Sequence, residues 1–408
     1  MTIDVPEATT AVEDIYPLAP LQQGLLFHSL LTPAAGAYIQ QLSWVSHGSL
    51  NSEALRQSWR QVLDRQAVLR TAFLWEELDE PVQVVLRHVE LPYREQDWRG
   101  VAPDEQQTRF HDLRTALHRE RFLLAEPPLW RFDLLRLTDD VFISLLTYHH
   151  LLLDGWGLSV MLREVMACYR AVCRGQRPVL PPPRPYRDHI AWLQQQELAA
   201  AESFWREMLG DFSTPTSIPE DHAAPSAPMV SLETAEQEQR LSAETTAALQ
   251  ALAKQERLTL NTLVQGAWAL LLSRNCGQDD VVFGFVVSGR PADLPGAESI
   301  VGLFANTLPV RVCVRADAWL LPWLHELQLH QVDARQYEYS PLAQVQRMSA
   351  IPTDQALFEC ILAFENYPID TAQASDANDL VIDDIQAVNR THYPLAVMVH
   401  PGPELVLR

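Results

Sequence analysis

A proline-rich break in mid-chain constrains the fold of this sequence more than any other feature. Arg174–Tyr186 reads RGQRPVLPPPRPY, and five of its residues are proline. Proline fixes φ and lacks a backbone N–H, so neither a helix interior nor a central strand survives there. The 408 residues on its two sides therefore build separate folded parts. At roughly 100–200 residues per domain, the length allows two or three.

Both sides carry helical and strand-like periodicities in comparable amounts. Before the break, Pro20–Leu31 reads as an apolar-faced helix and Tyr38–Val45 as a strand rich in β-branched and aromatic residues. Ser52–Ala67 has helical spacing at Leu55, Trp59, Val62 and Leu63, with Asn51 or Ser52 placed to cap it. Val82–Leu86 reads as a strand and Asp104–Leu123 as a polar helix. Leu129–Leu137 and Val141–His149 flank Thr138-Asp139-Asp140, a hairpin signal, and Gly155–Cys173 is helical again. After the break, Asp188–Leu209, Leu241–Gln255, Asn261–Arg274 and Ala318–Tyr337 read as helices. Asp280–Val287, Leu303–Val314, Phe358–Phe364 and Leu395–His400 read as strands. The expectation is two similar α/β lobes meeting at a cleft: a linker-like lead-in over 1–15, a first lobe over 16–177 and a second over 178–408. The last residues, Glu404–Arg408, read as a strand still in progress, so the sequence is expected to be a piece of a larger protein.

Composition excludes several classes. With 31 Lys and Arg against 52 Asp and Glu, the net charge is −21, the opposite of a nucleic-acid-binding surface. The five cysteines, Cys168, Cys173, Cys276, Cys313 and Cys360, form no CxxC pair, so a zinc or thioredoxin-like site is not expected. Unpaired cysteines fit a reducing, cytoplasmic setting. The first residues are acidic and lack the apolar core of a signal peptide, and no run approaches the roughly 18 apolar residues of a membrane span. No HExxH, GxSxG or GxGxxG occurs, which leaves zincin, hydrolase and dinucleotide readings without an anchor.

One stretch is dense in chemistry. Leu145–Gly157 reads LLTYHHLLLDGWG: an apolar strand, two histidines, a turn with Asp-Gly, then a helix. Neighbouring residues of a strand point to opposite faces, so His149 and His150 cannot share a job. One belongs in packing, the other in the cleft. A neutral imidazole with an ordinary pKa near 6.5 can accept or share a proton at neutral pH. Asp154, buried at the turn, needs a cation, and holding the loop is its expected use. Gly155 permits unusual backbone angles. HHxxxDG arises by chance in on the order of one chain in a thousand at average residue frequencies.

HHxxxDG at the end of an apolar strand resembles the signature of the condensation domains of nonribosomal peptide synthetases and of chloramphenicol acetyltransferase-like acyltransferases. Other stretches agree in family order. Tyr16–Gly24 (YPLAPLQQG) is similar to the opening motif. Arg65–Thr71 (RQAVLRT) resembles RHxxLRT, with Gln66 where His is usual. Tyr186–Trp192 (YRDHIAW) resembles YxDYxxW, with His189 in place of Tyr. Ile300–Thr307 (IVGLFANT) is similar to IGxFVNT, and Asn389–Leu395 matches the last motif loosely.

The resemblance implies two chloramphenicol acetyltransferase-like lobes in a V-shaped pseudo-dimer with a central tunnel. It implies amide formation between a donor thioester and the amine of an acceptor thioester. Both substrates ride on phosphopantetheine arms of carrier domains, with neighbouring synthetase domains in cis. No cofactor or metal bound by this chain is implied, and neither nucleic acid nor membrane is a partner. His150 becomes the central histidine, as general base or as the group that positions the amine. His149 becomes structural, and Gly155 allows close approach of arm and substrate. Asp154 resembles the loop-fixing aspartate, with Arg70 as its partner. Trp156, Ser288 and Asn306 fall along the tunnel, and Ser288-Gly289-Arg290 in a segment crossing between lobes. YPLAPLQQGLLFHS, DGWG and THYPL look more like the type that takes a donor ending in a D-residue, although Gly157 stands where Ser is common. Epimerization domains share HHxxxDG but carry an EGHGR-like motif that is absent here. A stand-alone acyltransferase and a non-catalytic recruitment platform are the remaining alternatives.

Overall fold

The computed structural model describes residues 11–32, 36–218, 235–366 and 380–408. The chain forms two compact units, both mixed α/β. The first comprises Met1–Gln194, Arg290–Phe304 and Tyr367–Arg390; the second comprises Gln195–Gly289, Ala305–Asn366 and Thr391–Arg408. The single division expected at 177/178 is thus replaced by a break at 194/195 and by two later segments that return to the first unit. The proline run is irregular as expected, but it ends inside the first unit because its last residue, Tyr186, and Ile190 just beyond it bury in that unit's core with Tyr16, Ile300 and Phe304.

In the first unit, β1 (Val12–Pro17), β3 (Thr71–Leu74) and β4 (Val82–Leu86) form a small sheet in the order β1-β4-β3. The expected lead-in over 1–15 is corrected from residue 12 onward: Val12–Pro17 pairs antiparallel with Val82–Leu86. Among these six residues only Tyr16 is buried, so the strand leaves no apolar pattern to read. Residues 1–10 lie outside the described residues.

The larger sheet uses β2 (Ile39–His47), β5 (Tyr93–Asp97), β6 (Trp130–Arg136), β7 (Val141–His149) and β12 (Val381–Val388), in the order β12-β2-β7-β6-β5. The predicted hairpin is β6 and β7, with Trp130 opposite Tyr148. Helices α1 (Pro20–Leu31), α2 (Ser52–Arg65), α3 (Pro103–Arg119), α4 (Gly155–Cys173) and α5 (Arg187–Leu193) complete the unit. α2 shows why the sequence was legible: Asn51 Oδ1 accepts the Ala54 N–H at 3.0 Å, Glu53 sits in the first turn, and Arg65 in the last. These groups satisfy the helix ends and complement its dipole. Its apolar stripe buries Trp59, Val62 and Leu63 completely, with the Trp59 ring 5.2 Å from Trp130 and 4.8 Å from Phe132. Each such side chain contributes about 1.5–3 kcal/mol.

The second unit holds β8 (Gln239–Arg240), β9 (Asp280–Val287), β10 (Asn306–Cys313), β11 (Cys360–Phe364), β13 (Leu395–His400) and β14 (Val406–Leu407), in the order β10-β9-β11-β13-β14-β8. β9 and β11 are parallel, as are β11 and β13. Interior strands covered on both faces read as continuous apolar runs, which is how they appear in the sequence. One core contains Phe283 and Leu362 with Leu272 of α8 (Leu260–Cys276) and Trp323 of α9 (Leu320–Arg335). The other contains Val282, Ile361 and Phe358 with Trp205 of α6 (Leu198–Leu209) and Val345 of α10 (Leu342–Gln346). α7 (Ala243–Gln255) precedes α8. The helix expected over Asp188–Leu209 is therefore two, α5 and α6. Ile190 buries in the first unit and Trp205 in the second, and one straight helix does not serve both cores.

Among the described residues, no helix is long and apolar enough to cross a membrane.

Candidate active site

β7 is the middle strand of the five-stranded sheet, held by β2 on one side and β6 on the other. Its end is therefore rigid, and the turn His150–Asp154 leads directly into α4. Gln22, fully buried in the PLQQG stretch, donates from Nε2 to the Leu151 carbonyl at 2.8 Å. Its own Oε1 accepts from Ala19 N–H and from Gln83. The opening motif thus braces the turn from behind.

The two histidines adopt opposite tautomers. His150 Nδ1 lies 2.7 Å from the Leu153 carbonyl oxygen. A carbonyl only accepts, so Nδ1 carries the hydrogen and the neutral ring keeps its lone pair on Nε2. The His150 ring is half-buried, and its backbone N–H donates to the Tyr38 carbonyl at 2.8 Å. His149 instead accepts the Leu151 N–H on Nδ1 at 3.2 Å. Its hydrogen therefore sits on Nε2, which faces Ser29 Oγ at 3.4 Å. Burial, reinforced by the neighbouring His150, pushes the His149 pKa down to about 3, so it is a neutral packing group.

His189, against the Phe304 ring at 4.0 Å, is likewise pushed down to about 3, first by burial and then by the Arg290 charge. Both histidines bind a proton in the unfolded chain near pH 6.5 but not in the folded one. Their stabilisation is complete above about pH 6.5 and is lost as pH falls toward 3, at about 1 kcal/mol per pH unit for each. The urea midpoint is expected to fall between pH 7 and pH 4.5, and His189→Phe to shrink that fall. An unchanged midpoint would contradict the neutral assignment.

Asp154 is the N-cap of α4. Its Oδ1 accepts the Gly157 N–H at 2.6 Å, and its Oδ2 accepts the Phe304 N–H at 2.8 Å. The expected pairing with Arg70 is corrected: the cation on Asp154 is Arg290, Nη2 to Oδ1 at 3.3 Å, with the two side chains only 6% and 7% exposed. Arg290 also donates to the carbonyls of Ala297 and Ile300, and its guanidinium lies 4.1 Å from the Phe304 ring centre. Burial lowers the Arg290 pKa against the opposing pull of Asp154. Arg70 is buried elsewhere, pairing with Glu13 at 2.6 Å and donating to the carbonyls of Leu63 and Leu86. It ties the start of β3 to β1 and β4 and so supports the small sheet. Both arginines are visible in motif-like stretches, but only the return of residues 290–304 to the first unit decides which one meets Asp154.

The backbone reading of Gly155 is also corrected: it is the first residue of α4, with ordinary helical backbone rather than a left-handed one. At Gly157 an added Cβ would stand 2.5 Å from the Gly302 carbonyl oxygen. Gly157→Ala ordinarily strengthens a helix by about 1 kcal/mol. Here overpacking costs about 1–3 kcal/mol, so a lower thermal midpoint is expected, and a higher one would show that the 302 segment yields. Trp156 donates from its indole N–H to the Glu298 carbonyl at 2.9 Å, a second clasp on the same segment.

The first unit thus brings together His149, His150, Asp154, Gly155 and Trp156, and adds Arg290 and Gln22. Ser288 and Asn306 belong to the second unit. Ser288 is exposed. Asn306 places both amide hydrogens on carbonyls, those of Glu338 and Ser340, at 2.8 Å each, and so fastens the start of β10. Chemically, the first-unit arrangement offers a proton acceptor of fixed tautomer on a rigid strand end, beside an Asp–Arg pair that locks the following helix.

Comparison with known proteins follows the same lines. Residues 12–407 match the family described as Condensation domain. A linear gramicidin synthase from Brevibacillus parabrevis is 43% identical over 98% of this chain and 5% of its own length. Surfactin synthase subunit 3 of Bacillus subtilis (strain 168) is 33% identical over 97% of this chain and 31% of its own. The chain spans only a small part of these relatives. The fold is shared with the starter condensation domain of rhizomide synthetase RzmA (TM-score 0.77, 19% identity, 97% of this chain and 90% of that one). It is also shared with the X-domain from teicoplanin biosynthesis (TM-score 0.79, 23% identity, 96% and 88%).

Proposed function

The chain belongs to the condensation-domain family, enzymes that form peptide bonds by acyl transfer, and from that premise we propose that it joins a donor peptidyl or aminoacyl thioester to the amine of an acceptor aminoacyl thioester. Both are presented on phosphopantetheine arms of carrier domains, and neighbouring domains lie in the same polypeptide. The amine nitrogen attacks the thioester carbon, a C–N bond forms, the C–S bond breaks, and the proton shed by the amine ends on the departing thiolate. His150 Nε2 accepts that proton or holds the amine by it. His149 and Gln22 keep the turn in place, and Asp154 with Arg290 holds the start of α4.

The observation that carries this reading is the His150 tautomer. The Leu153 carbonyl occupies Nδ1, so the lone pair needed to receive an amine proton is at Nε2 in the neutral ring. The thioester is already reactive, so alignment of the two substrates supplies a large share of the acceleration. The donor is assigned a D-residue at its reacting end, on the sequence stretches YPLAPLQQGLLFHS, DGWG and THYPL.

The test is transfer between two loaded carriers, read by intact-protein mass spectrometry. The donor carrier holds a short peptide ending in a D- or an L-residue; the acceptor carrier holds an aminoacyl group. Gain of the donor mass by the acceptor carrier, faster with the D-ended donor, is the expected result. A donor that changes only its stereochemistry would indicate epimerization. Docking of both carriers with no transfer from either donor would favour a recruitment platform.

A further inference from the structure

Tyr38 has a backbone φ of 71° and is only 3% exposed. For a bulky residue a left-handed conformation is a genuine outlier, and such strain persists only where the surroundings over-determine it. The surroundings here are specific. Gly36, two residues earlier, also has positive φ, and a Cβ on it would stand 3.0 Å from the ring of the buried His118 on α3. Tyr38 N–H donates to the Arg390 carbonyl at 3.3 Å, and the Gln40 side chain donates to the same oxygen at 3.2 Å. The Tyr38 carbonyl then accepts the His150 N–H at 2.8 Å. Arg390 closes the segment that returns to the first unit and adds β12 to the edge of β2.

We propose that Tyr38 is a positioning residue: its strained peptide relays the seating of the returning segment 380–390, through the Arg390 and Tyr38 carbonyls, to the backbone of His150. With an extended φ the Tyr38 N–H would turn from the Arg390 carbonyl toward the neighbouring strand β7, and the carbonyl that receives the His150 N–H would lose its tie to the returning segment. The assignment goes beyond the functional reading above but rests on its placing the chemistry at His150. An error of about 1 Å at a reacting group can cost 10²-fold in rate.

The test separates conformation from packing. Tyr38→Gly removes the ring and leaves a large hole, but accepts positive φ freely. Tyr38→Val fills more of the hole, but its β-branch opposes positive φ. Tyr38→Phe removes only the hydroxyl. The expected kcat order is Phe near wild type, Gly within about 5-fold, and Val lower by on the order of 10²-fold, with carrier KM unchanged. Thermal stability should run the other way, with Val at least as stable as Gly. Amide hydrogen exchange at His150 should accelerate in the Val variant alone. Activity that simply follows stability, or a Val variant with wild-type kcat and His150 protection, would overturn the proposal. If His150→Ala transfers as fast as wild type, the functional reading fails instead, and the exchange at His150 still decides the relay.

Discussion

His150→Ala is expected to lower transfer between carriers by about 10²–10³-fold at neutral pH, in kcat and not in carrier KM. General acid–base groups contribute about 10²–10⁴-fold. The lower part of that range applies because the thioester is activated and alignment carries much of the rate. The substitution removes Nε2 and the Nδ1 bond to Leu153, but leaves the backbone bond from His150 to Tyr38 and the Gln22 brace on Leu151. The turn should therefore persist and the fold should stay intact. Either role needs the unprotonated Nε2, so the part of the acid limb that comes from the imidazole should be lost in His150→Ala, and the part that comes from protonation of the acceptor amine should stay. Transfer within 3-fold of wild type would remove His150 from the chemistry. His149→Ala provides the contrast: its loss should appear as stability, because that ring is buried, neutral and turned toward Ser29.

Asp154→Ala is expected to be the most destabilising single change at the site, at about 3–5 kcal/mol. It removes the acceptor for Gly157 N–H and Phe304 N–H and leaves the Arg290 guanidinium buried without its carboxylate. The stranded charge is the largest part of the cost, and the lost cap adds about 1 kcal/mol. This attribution gives a sharper expectation for the double variant Asp154→Ala/Arg290→Met. Replacing both partners removes the uncompensated charge, so the double variant should be more stable than Asp154→Ala alone. Urea unfolding of the two singles and the double, as a thermodynamic cycle, checks this directly. Additive losses would mean that Arg290 is held by the Ala297 and Ile300 carbonyls and gains little from Asp154. Arg70→Ala should leave the coupling untouched, since Arg70 serves Glu13 and the small sheet.

Where the periodic signal is strong, it can be read from the residues. α2 announces itself by a cap, a charged first turn and an apolar stripe, and the β6–β7 hairpin by two apolar runs around Asp139-Asp140. β1 and β12 are silent because they lie on sheet edges where only one residue, Tyr16, is buried, so no apolar face marks them. α5 and α6 look like one helix because helical spacing continues across Gln194–Glu197, and spacing carries no information about which core each half enters.

The sequence by itself determined the candidate catalytic stretch: HHxxxDG at a strand end is a local pattern, and so are the strand, turn and capped helix that present it. It also determined that the two histidines differ, since neighbouring strand residues face opposite ways. Only the tertiary structure decided which ring nitrogen of His150 bears the lone pair, that Arg290 rather than Arg70 meets Asp154, that Gly157 packs against Gly302, and that the Tyr38 carbonyl takes the His150 N–H from the neighbouring strand. Each of these depends on residues far apart in the chain, or on the direction of a single carbonyl. Residues 290–304 and 380–390 return to a unit that the proline break alone would have closed. Local propensity fixes elements; the partner of a buried charge is fixed by whichever segment the packing brings within reach.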